Sequence, residues 1–183
     1  MGKVYTRVCA FMILLAASGR AEVKIPEDCR VKNQPPGRCG WCALETLARY
    51  HRIHSLYGLA SSHASLSTPE HLGSTLDEAG VVYHIQYPGN RNREILRMAV
   101  KKGWGAAVGV YGDYNGKGPH ILTLIEYGSS GVKVIDSNDK DRRVRDMSLE
   151  DFLSWWDGFA IVLEPPGRAA EPATMASAES SPR

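Results

Sequence analysis

Residues 34–44 read QPPGRCGWCAL, and this stretch decides how the first half of the chain is built. Its two prolines and its first glycine are unsuited to a helix, so a helix is predicted to begin at Cys39. From Gly40 to about His54 the apolar residues recur at helical spacing. The unpaired N–H groups and the dipole at such a helix start stabilise a thiolate, so the pattern predicts a lowered pKa for Cys39.

A histidine in the second half of the chain is the next candidate for chemistry. His120 follows a Gly-Pro pair and opens an apolar strand, and a second strand ends at Asp136. If residues 129–131 form a three-residue loop with a left-handed glycine, His120 shares a face with Asp136 and Asn138. A loop of two or four residues would put them on the opposite face. Both Asp136 and Asn138 are therefore candidates for orienting the imidazole.

These residues supply the parts that a thiol protease needs. Such an enzyme uses a thiolate, a donor for the oxyanion, and an imidazole with an acidic or amide partner. Cys39 is the candidate thiolate, His120 the imidazole and Asp136 its partner, while Gln34 offers a side-chain amide from the loop before the helix. The alternative for Cys39 is an inert, buried apolar filler.

Two other interpretations use the same cysteines. Cys39 and Cys42 form a CxxC motif at a helix start, as dithiol oxidoreductases do, but the short proline-rich segment 22–38 leaves little room for a preceding βαβ unit. With His51 and His54 the pair resembles a zinc-binding set. One helix would separate Cys39 from His54 by about 22 Å at roughly 1.5 Å per residue, which is too far for one ion.

The first 21 residues have the pattern of a secretory signal peptide. Lys3 and Arg7 give a basic start, Val8–Ala17 is apolar, and small residues lead to a cleavage site near Ala21. The apolar run is well short of the roughly 20 residues that span a bilayer. We therefore expect a secreted or periplasmic protein without stable membrane insertion.

Export affects the expected state of the cysteines. Cys9 would leave with residues 1–21, and three cysteines would remain. An odd count in an exported chain suggests one disulfide and one free thiol. If Cys39 is the free thiol, Cys29 and Cys42 form the disulfide. The alternative is three unpaired thiols.

Residues 22–164 are predicted to form one domain, and the Pro-, Ala- and Ser-rich segment 165–183 a disordered tail. Helices come mainly first and consecutive strands later, which favours an α+β fold with N-terminal helices packed on a C-terminal antiparallel sheet. Helices are predicted at about 40–54, 68–78, 93–102 and 148–156, and strands at about 81–87, 106–111, 120–127, 132–136 and 159–163.

The charge balance excludes one class of partner. Loss of residues 1–21 leaves 19 basic residues, because Lys3, Arg7 and Arg20 are removed, against 20 acidic ones. The Lys101-Lys102 and Arg142–Arg145 clusters are interpreted as solvated faces and loops. Without a phosphate-neutralising surface, we expect no nucleic acid partner.

Several of these motifs together resemble those of bacteriocin-processing (double-glycine leader) cysteine peptidases, within the papain-like superfamily. They are Gln34, the Cys-Gly-x-x-Ala-Leu motif from Cys39, the Gly-Pro-His motif ending at His120, and Asp136 sixteen residues later. The likeness spans about residues 30–164. It implies a papain-like fold in which Cys39 attacks, His120 is general base and then acid, Asp136 orients the ring, and Gln34 lines the oxyanion hole, with no cofactor.

The chain departs from that family in two places. The interval from Gln34 to Cys39 is one residue shorter than the commonest pattern, and Cys42 stands where the family mostly has a small residue. Papain-like enzymes with a Cys-Gly-x-Cys motif can use the second cysteine, so Cys42 is a secondary candidate nucleophile. We predict an exported, monomeric cysteine peptidase that hydrolyses a peptide or protein substrate through an acyl-thioester on Cys39. The alternatives are acyl transfer, a catalytically silent peptide-binding module, and a CxxC oxidoreductase.

Overall fold

The protein is described here by a computed structural model that covers residues 22–63, 67–111 and 118–167. The predicted signal peptide, and residues 168–183 of the predicted tail, lie outside these ranges. Within them, no helix combines the length and the apolar character that crossing a bilayer would require.

Five α-helices and six strands make up the described part of the chain. The helices are α1 Cys39–His51, α2 Leu59–Ser62, α3 Pro69–Glu78, α4 Glu94–Lys101 and α5 Leu149–Trp155. The strands are β1 Tyr83–Gln86, β2 Ala106–Val110, β3 His120–Gly128, β4 Gly131–Ile135, β5 Val144–Met147 and β6 Trp156–Leu163. Two short 3₁₀ helices lie at Glu27–Cys29 and His54–Leu56.

The strands form one antiparallel sheet in the order β1-β6-β2-β3-β4-β5. Its two faces are covered by different helices, because side chains alternate along each strand. Ile121 and Ile125 of β3 pack in one core cluster with Leu44 of α1. Leu122 packs in a second cluster with Phe152 of α5. The α+β prediction is confirmed, with α1, α2 and α3 on one face and α4 and α5 on the other.

Two helices begin at the capping signals in the sequence. Thr68 Oγ1 accepts the N–H of His71 at 3.2 Å, and Pro69 takes the first helical position of α3. Ser148 Oγ accepts the N–H of Asp151 at 2.9 Å at the start of α5. These contacts satisfy backbone donors that otherwise lack an acceptor, which fixes both helix starts.

α1 begins at Cys39 as predicted, but no side chain in the described part of the chain caps it. Its first backbone N–H groups are therefore open to other acceptors. The helix ends at His51, somewhat before the predicted His54, because Arg52 adopts a left-handed conformation with φ of 60°. The uncapped start faces β3, and this is the part of the fold that positions the candidate site.

In the β3–β4 hairpin, His120 and Asp136 lie on the same face of the sheet, but the hairpin loop is not the one that this arrangement was predicted to need. Gly128 pairs with Gly131, so the loop has two residues, which is the case predicted to put His120 and Asp136 on opposite faces. A β-bulge between Leu124 and Glu126 then inserts one extra residue into β3. This residue reverses the parity that the short loop would have imposed, so His120 and Asp136 still share a face.

The arginine-rich segment near residue 144 also needs a correction. It was predicted to belong to solvated faces and loops, and Arg143 and Arg145 are exposed, but Val144–Met147 forms the edge strand β5, which pairs with β4. Val144 is half-buried against the core, and Arg145 forms an ion pair with Asp139. Val144 thus faces the core while its neighbour Arg145 binds a carboxylate at the surface. A basic segment with this arrangement is compatible with an edge strand.

Candidate active site

Cys39 lies at the uncapped start of α1 with its sulfur against β3. The residue is 9% exposed. Its sulfur is hydrogen-bonded to the His120 ring and to the backbone N–H groups of Ile121 and Gly40. Burial by itself raises the pKa of this thiol, but the hydrogen bond and the charge of His120, with the two N–H groups, outweigh burial. The pKa of Cys39 is consequently lowered from its ordinary value.

His120 opens β3 and is almost completely buried, with 5% exposure. Its Nε2 lies 2.7 Å from Oδ1 of Asp136, which leaves Nδ1 as the ring nitrogen for the sulfur. Burial by itself lowers the pKa of the imidazole, whereas Asp136 and then Cys39 raise it, and the result is a pKa of about 9. Both shifts favour a thiolate paired with an imidazolium at neutral pH.

Asp136 and Asn138 both reach the His120 ring, in different ways. The Asn138 Nδ2 atom is 3.4 Å from His120 Nε2, whereas the carboxylate contact measures 2.7 Å. A protonated Nε2 has no lone pair, so it can donate to Asp136 but cannot accept from the amide. The backbone N–H of Asn138 donates to the same Asp136 oxygen at 2.8 Å. Asp136 is thus the group positioned to orient the ring, and Asn138 holds Asp136.

Gln34 forms no side-chain hydrogen bond with this cluster among the described residues, and its side chain is exposed. The buried amide belongs instead to its neighbour Asn33, which is 7% exposed. Asn33 Nδ2 donates to Asn138 Oδ1 at 2.6 Å, and Asn33 Oδ1 accepts the N–H of Arg38 at 2.9 Å. Asn33 therefore links the start of α1 to the segment that orients His120.

Sequence reasoning missed Asn33, although a signal for it was present. The interval from Gln34 to Cys39 is one residue shorter than the commonest family pattern, and counting from Asn33 restores that spacing. The backbone N–H of Asn33 also donates to the carbonyl of Ser137 at 2.9 Å. A short polar side chain fits this loop because it can bond to backbone groups on both sides.

Cys42 has none of the features of a reactive thiol. It is fully buried, and burial, followed by the charges of Cys39 and Glu45, raises its pKa to about 12. A neutral thiol without access to solvent cannot attack a substrate or exchange a disulfide. The geometry therefore speaks against Cys42 as a second nucleophile and against Cys39–Cys42 as a redox pair.

The expected disulfide between Cys29 and Cys42 is wrong, since both are free thiols, as is Cys39. The segment after Cys29 runs along the middle of α1, where the Val31 N–H donates to Thr46 Oγ1 at 3.0 Å. Thr46 lies one helical turn beyond Cys42, so the segment that follows Cys29 contacts α1 beyond Cys42.

The two histidines of the possible zinc set have other contacts. His51 Nε2 lies 2.7 Å from the carbonyl oxygen of Trp104, and His54 belongs to the short 3₁₀ helix after α1. In the described ranges, no three His, Cys, Asp or Glu side chains gather in an arrangement that could hold a metal ion.

A cleft of about 480 Å³ opens over the Cys39–His120 pair. Its walls come from the residues before and at the start of α3, the loop after β1, the end of β2, the start of β3 and the start of β6. The described part of this lining is mainly apolar and contains one carboxylate. Its residues besides Cys39 and His120 are Ser67, Thr68, Pro69, Pro88, Gly109, Tyr111, Pro119, Ile121, Asp157 and Phe159. A groove of this kind can hold an extended chain with its carbonyl carbon near the sulfur.

The fold that carries this site is the papain-like peptidase-domain fold. No family model matches the sequence, and no curated protein matches it significantly. Solved structures do match in three dimensions, and the fold expected from the resemblance is confirmed.

Three of these structures are peptidase domains from transporters. The peptidase domain of Streptococcus ComA, a bifunctional ABC transporter involved in a quorum-sensing pathway, has a TM-score of 0.53 at 19% identity, over 74% of this chain and 97% of that one. A double-glycine motif protease from an AMS/PCAT transporter, in complex with the leader peptide, has 0.55 at 14%, over 82% and 96%. The peptidase domain of Streptococcus mutans ComA has 0.50 at 20%, over 74% and 98%.

Proposed function

We propose that this protein is a cysteine peptidase that hydrolyses peptide bonds through an acyl-thioester on Cys39. The observation that carries the proposal is the hydrogen-bonded chain from the Cys39 sulfur through the His120 ring to the buried Asp136 carboxylate, at the base of an apolar cleft. Nucleophile, base and orienting group in this order are the arrangement that activates a thiol.

In the first half of the reaction, the Cys39 thiolate attacks the carbonyl carbon and a C–S bond forms. The proton of the His120 imidazolium passes to the leaving nitrogen as the C–N bond breaks. Asp136 keeps the ring oriented during this transfer by accepting the Nε2–H. The amine product departs, and the acyl group remains on the sulfur as a thioester.

In the second half, the now neutral His120 accepts a proton from water, and the oxygen attacks the thioester carbon. The C–S bond breaks, the carboxylic acid leaves, and the thiolate–imidazolium pair is restored. The negative oxygen in both steps needs hydrogen-bond donors, and the open N–H of Cys39 at the helix start is one. Gln34 is the predicted side-chain donor, and the buried amide of Asn33 is the alternative.

A peptide as substrate is supported by one of the neighbours. The AMS/PCAT protease was solved in complex with the leader peptide. We extend to this chain only the general class, a peptide in an extended conformation, because the cleft suits it. The signal-like residues 1–21 further support action outside the cytoplasm, which N-terminal sequencing of protein recovered from the medium or periplasm would test.

Hydrolysis of a mixed peptide library, followed by mass spectrometry, tests the proposal. We expect the wild-type protein to cleave a subset of peptides, Cys39→Ala to cleave none, and Cys29→Ala to behave as wild type. Cleavage by Cys39→Ala at the wild-type rate would refute the assignment. Binding without cleavage by the wild type would favour a silent peptide-binding module, and incorporation of an added amine would reveal acyl transfer.

A further inference from the structure

The cleft contains a carboxylate that the proposed mechanism does not use. Asp157 is the second residue of β6 and lines the cleft together with Cys39 and His120. Val110 of β2 pairs with Trp156 on one side and with His120 on the other. Asp157 therefore lies at the same end of the sheet as His120, about 10 Å away across two strand spacings. That distance is suited to a substrate group close to the reacting bond.

The Asp157 side chain is held in place. Its Oδ1 accepts the N–H of Phe159 at 2.7 Å, and its backbone carbonyl accepts the N–H of Gly89 at 2.8 Å. A Cβ atom on Gly109 would lie 2.7 Å from Oδ1 and 2.9 Å from Oδ2, so both oxygens rest against the bare backbone of β2. Gly109 itself lines the cleft. The absence of a side chain at this position leaves room for the carboxylate.

The charge of Asp157 has no counterpart in the described part of the chain. Neither an ion pair nor a hydrogen bond from a charged side chain reaches it there. Among the described residues that line the cleft, the one cationic group is the His120 ring, which is already shared between Cys39 and Asp136. An apolar lining strengthens the attraction between a carboxylate and an incoming cation relative to bulk water.

We propose that Asp157 selects substrates with a positively charged group beside the scissile bond, either a lysine or arginine side chain or the free α-ammonium of the peptide. This inference rests on the proposed peptidase function and names its substrate class. A single hydrogen-bonded pair between charged groups corresponds to about a 10- to 100-fold preference.

The test uses fluorogenic peptides derived from a sequence that the enzyme cleaves. In one series the N-terminus is acetylated, and either lysine or uncharged norleucine is placed in turn at each position around the cleaved bond. In the other series the same short peptide carries a free or an acetylated N-terminus. The readout is the ratio of kcat/KM between the charged and the uncharged peptide within each variant, so changes in overall rate cancel.

We expect the wild type to prefer the charged form about 10- to 100-fold in one of the two series. Asp157→Asn should lose most of this ratio while keeping the acceptor for the Phe159 N–H, and Asp157→Lys should favour the uncharged peptide in that series. The matched control Asp141→Asn removes an exposed carboxylate outside the cleft and should retain the wild-type ratio. An equal rate for charged and uncharged peptides in both series, or a preference retained by Asp157→Asn, would overturn the inference. Failure to cleave any peptide would instead count against the proposed function.

Discussion

The effect of Asp136→Asn on the pKa of His120 and on activity can be calculated from the geometry of the site. The Asp136 carboxylate contributes the strongest of the effects that raise the pKa of His120, from an ordinary 6.5 to about 9. A hydrogen bond between charged groups contributes about 1.5 to 3 kcal/mol, so the carboxylate stabilises the imidazolium by on the order of 2 kcal/mol. Asparagine fills the same space but carries no charge, and the imidazolium loses this stabilisation.

The sign of the effect follows from the mechanism. The active form holds a proton on His120 and none on Cys39, so activity falls as the pH rises through the pKa of His120, near 9. In Asp136→Asn this upper limit should move to lower pH. At pH 7 the fraction of active ion pair and the efficiency of proton transfer both fall, and we expect kcat/KM to drop about 30- to 100-fold.

The assay is the pH dependence of kcat/KM on a cleaved peptide, measured for the wild type, Asp136→Asn and Asn138→Ala. Asn138→Ala removes the longer amide contact and keeps the carboxylate, so its upper pH limit should remain near that of the wild type. If Asp136→Asn kept the wild-type upper limit and rate, Asp136 would not be the group that orients and charges His120.

Four further substitutions test other parts of the structure. Asn33→Ala and Gln34→Ala identify the side-chain oxyanion donor, because the one that serves should lose about 100-fold or more in kcat with a small change in KM, and equal activity of both would exclude a side-chain donor from this loop. Gly131→Ala should lower the free energy of unfolding, measured by urea titration, by about 2 kcal/mol. The reason is that Gly131 has a φ of 142° and that a Cβ there would lie 2.6 Å from the carbonyl oxygen of Met147. Wild-type stability of this variant would show that the hairpin is built differently. Leu122→Ala, in the fully buried second core cluster, should cost about 2 to 5 kcal/mol in the same titration, and a loss below 1 kcal/mol would mean that β3 is not central to that core.

Most elements of the fold could be predicted because their signals are local. Thr68 and Ser148 cap their helices through contacts within one turn, and prolines and glycines in the sequence bound α1 and the hairpin. The prediction that Cys39 starts a helix and that His120 starts a strand needed no information from distant residues. The α+β class followed from the order of these elements along the chain.

The parts that were predicted wrongly depend on long-range packing. The β-bulge beside Ile125 has no sequence signal of its own, and it changed the loop length that the shared face of His120 and Asp136 requires. β5 forms because its backbone pairs with the free edge of β4 and because Val144 packs against the core. The basic residues next to Val144 give no local signal for this strand. The disulfide prediction was based on the number of cysteines. The sequence does not show where along α1 the segment containing Cys29 packs.

The candidate site likewise contains residues that were predicted from the sequence and one residue that was missed. Cys39 and His120 were predicted from their motifs, and Asp136 from the family resemblance with Asn138 as the alternative; Cys39, His120 and Asp136 are brought into contact. Asn33 was missed because Gln34, one position later, carries the residue type expected for an amide donor. The backbone conformation of the loop decides which of the two adjacent side chains points inward. In this loop the side-chain Oδ1 of Asn33 accepts the N–H of Arg38.

The most direct test of the central claim is the rate of iodoacetamide alkylation at each cysteine as a function of pH, resolved by mass spectrometry. A thiolate stabilised by an imidazolium should react at Cys39 well below the ordinary thiol pKa of 9.0, whereas Cys29, whose pKa is raised by burial and by Asp28, should react only at higher pH. We predict that Cys39 is alkylated first at neutral pH, and that His120→Ala moves its titration to higher pH. A Cys39 that titrates at or above 9.0, or that reacts after Cys29, would contradict the account.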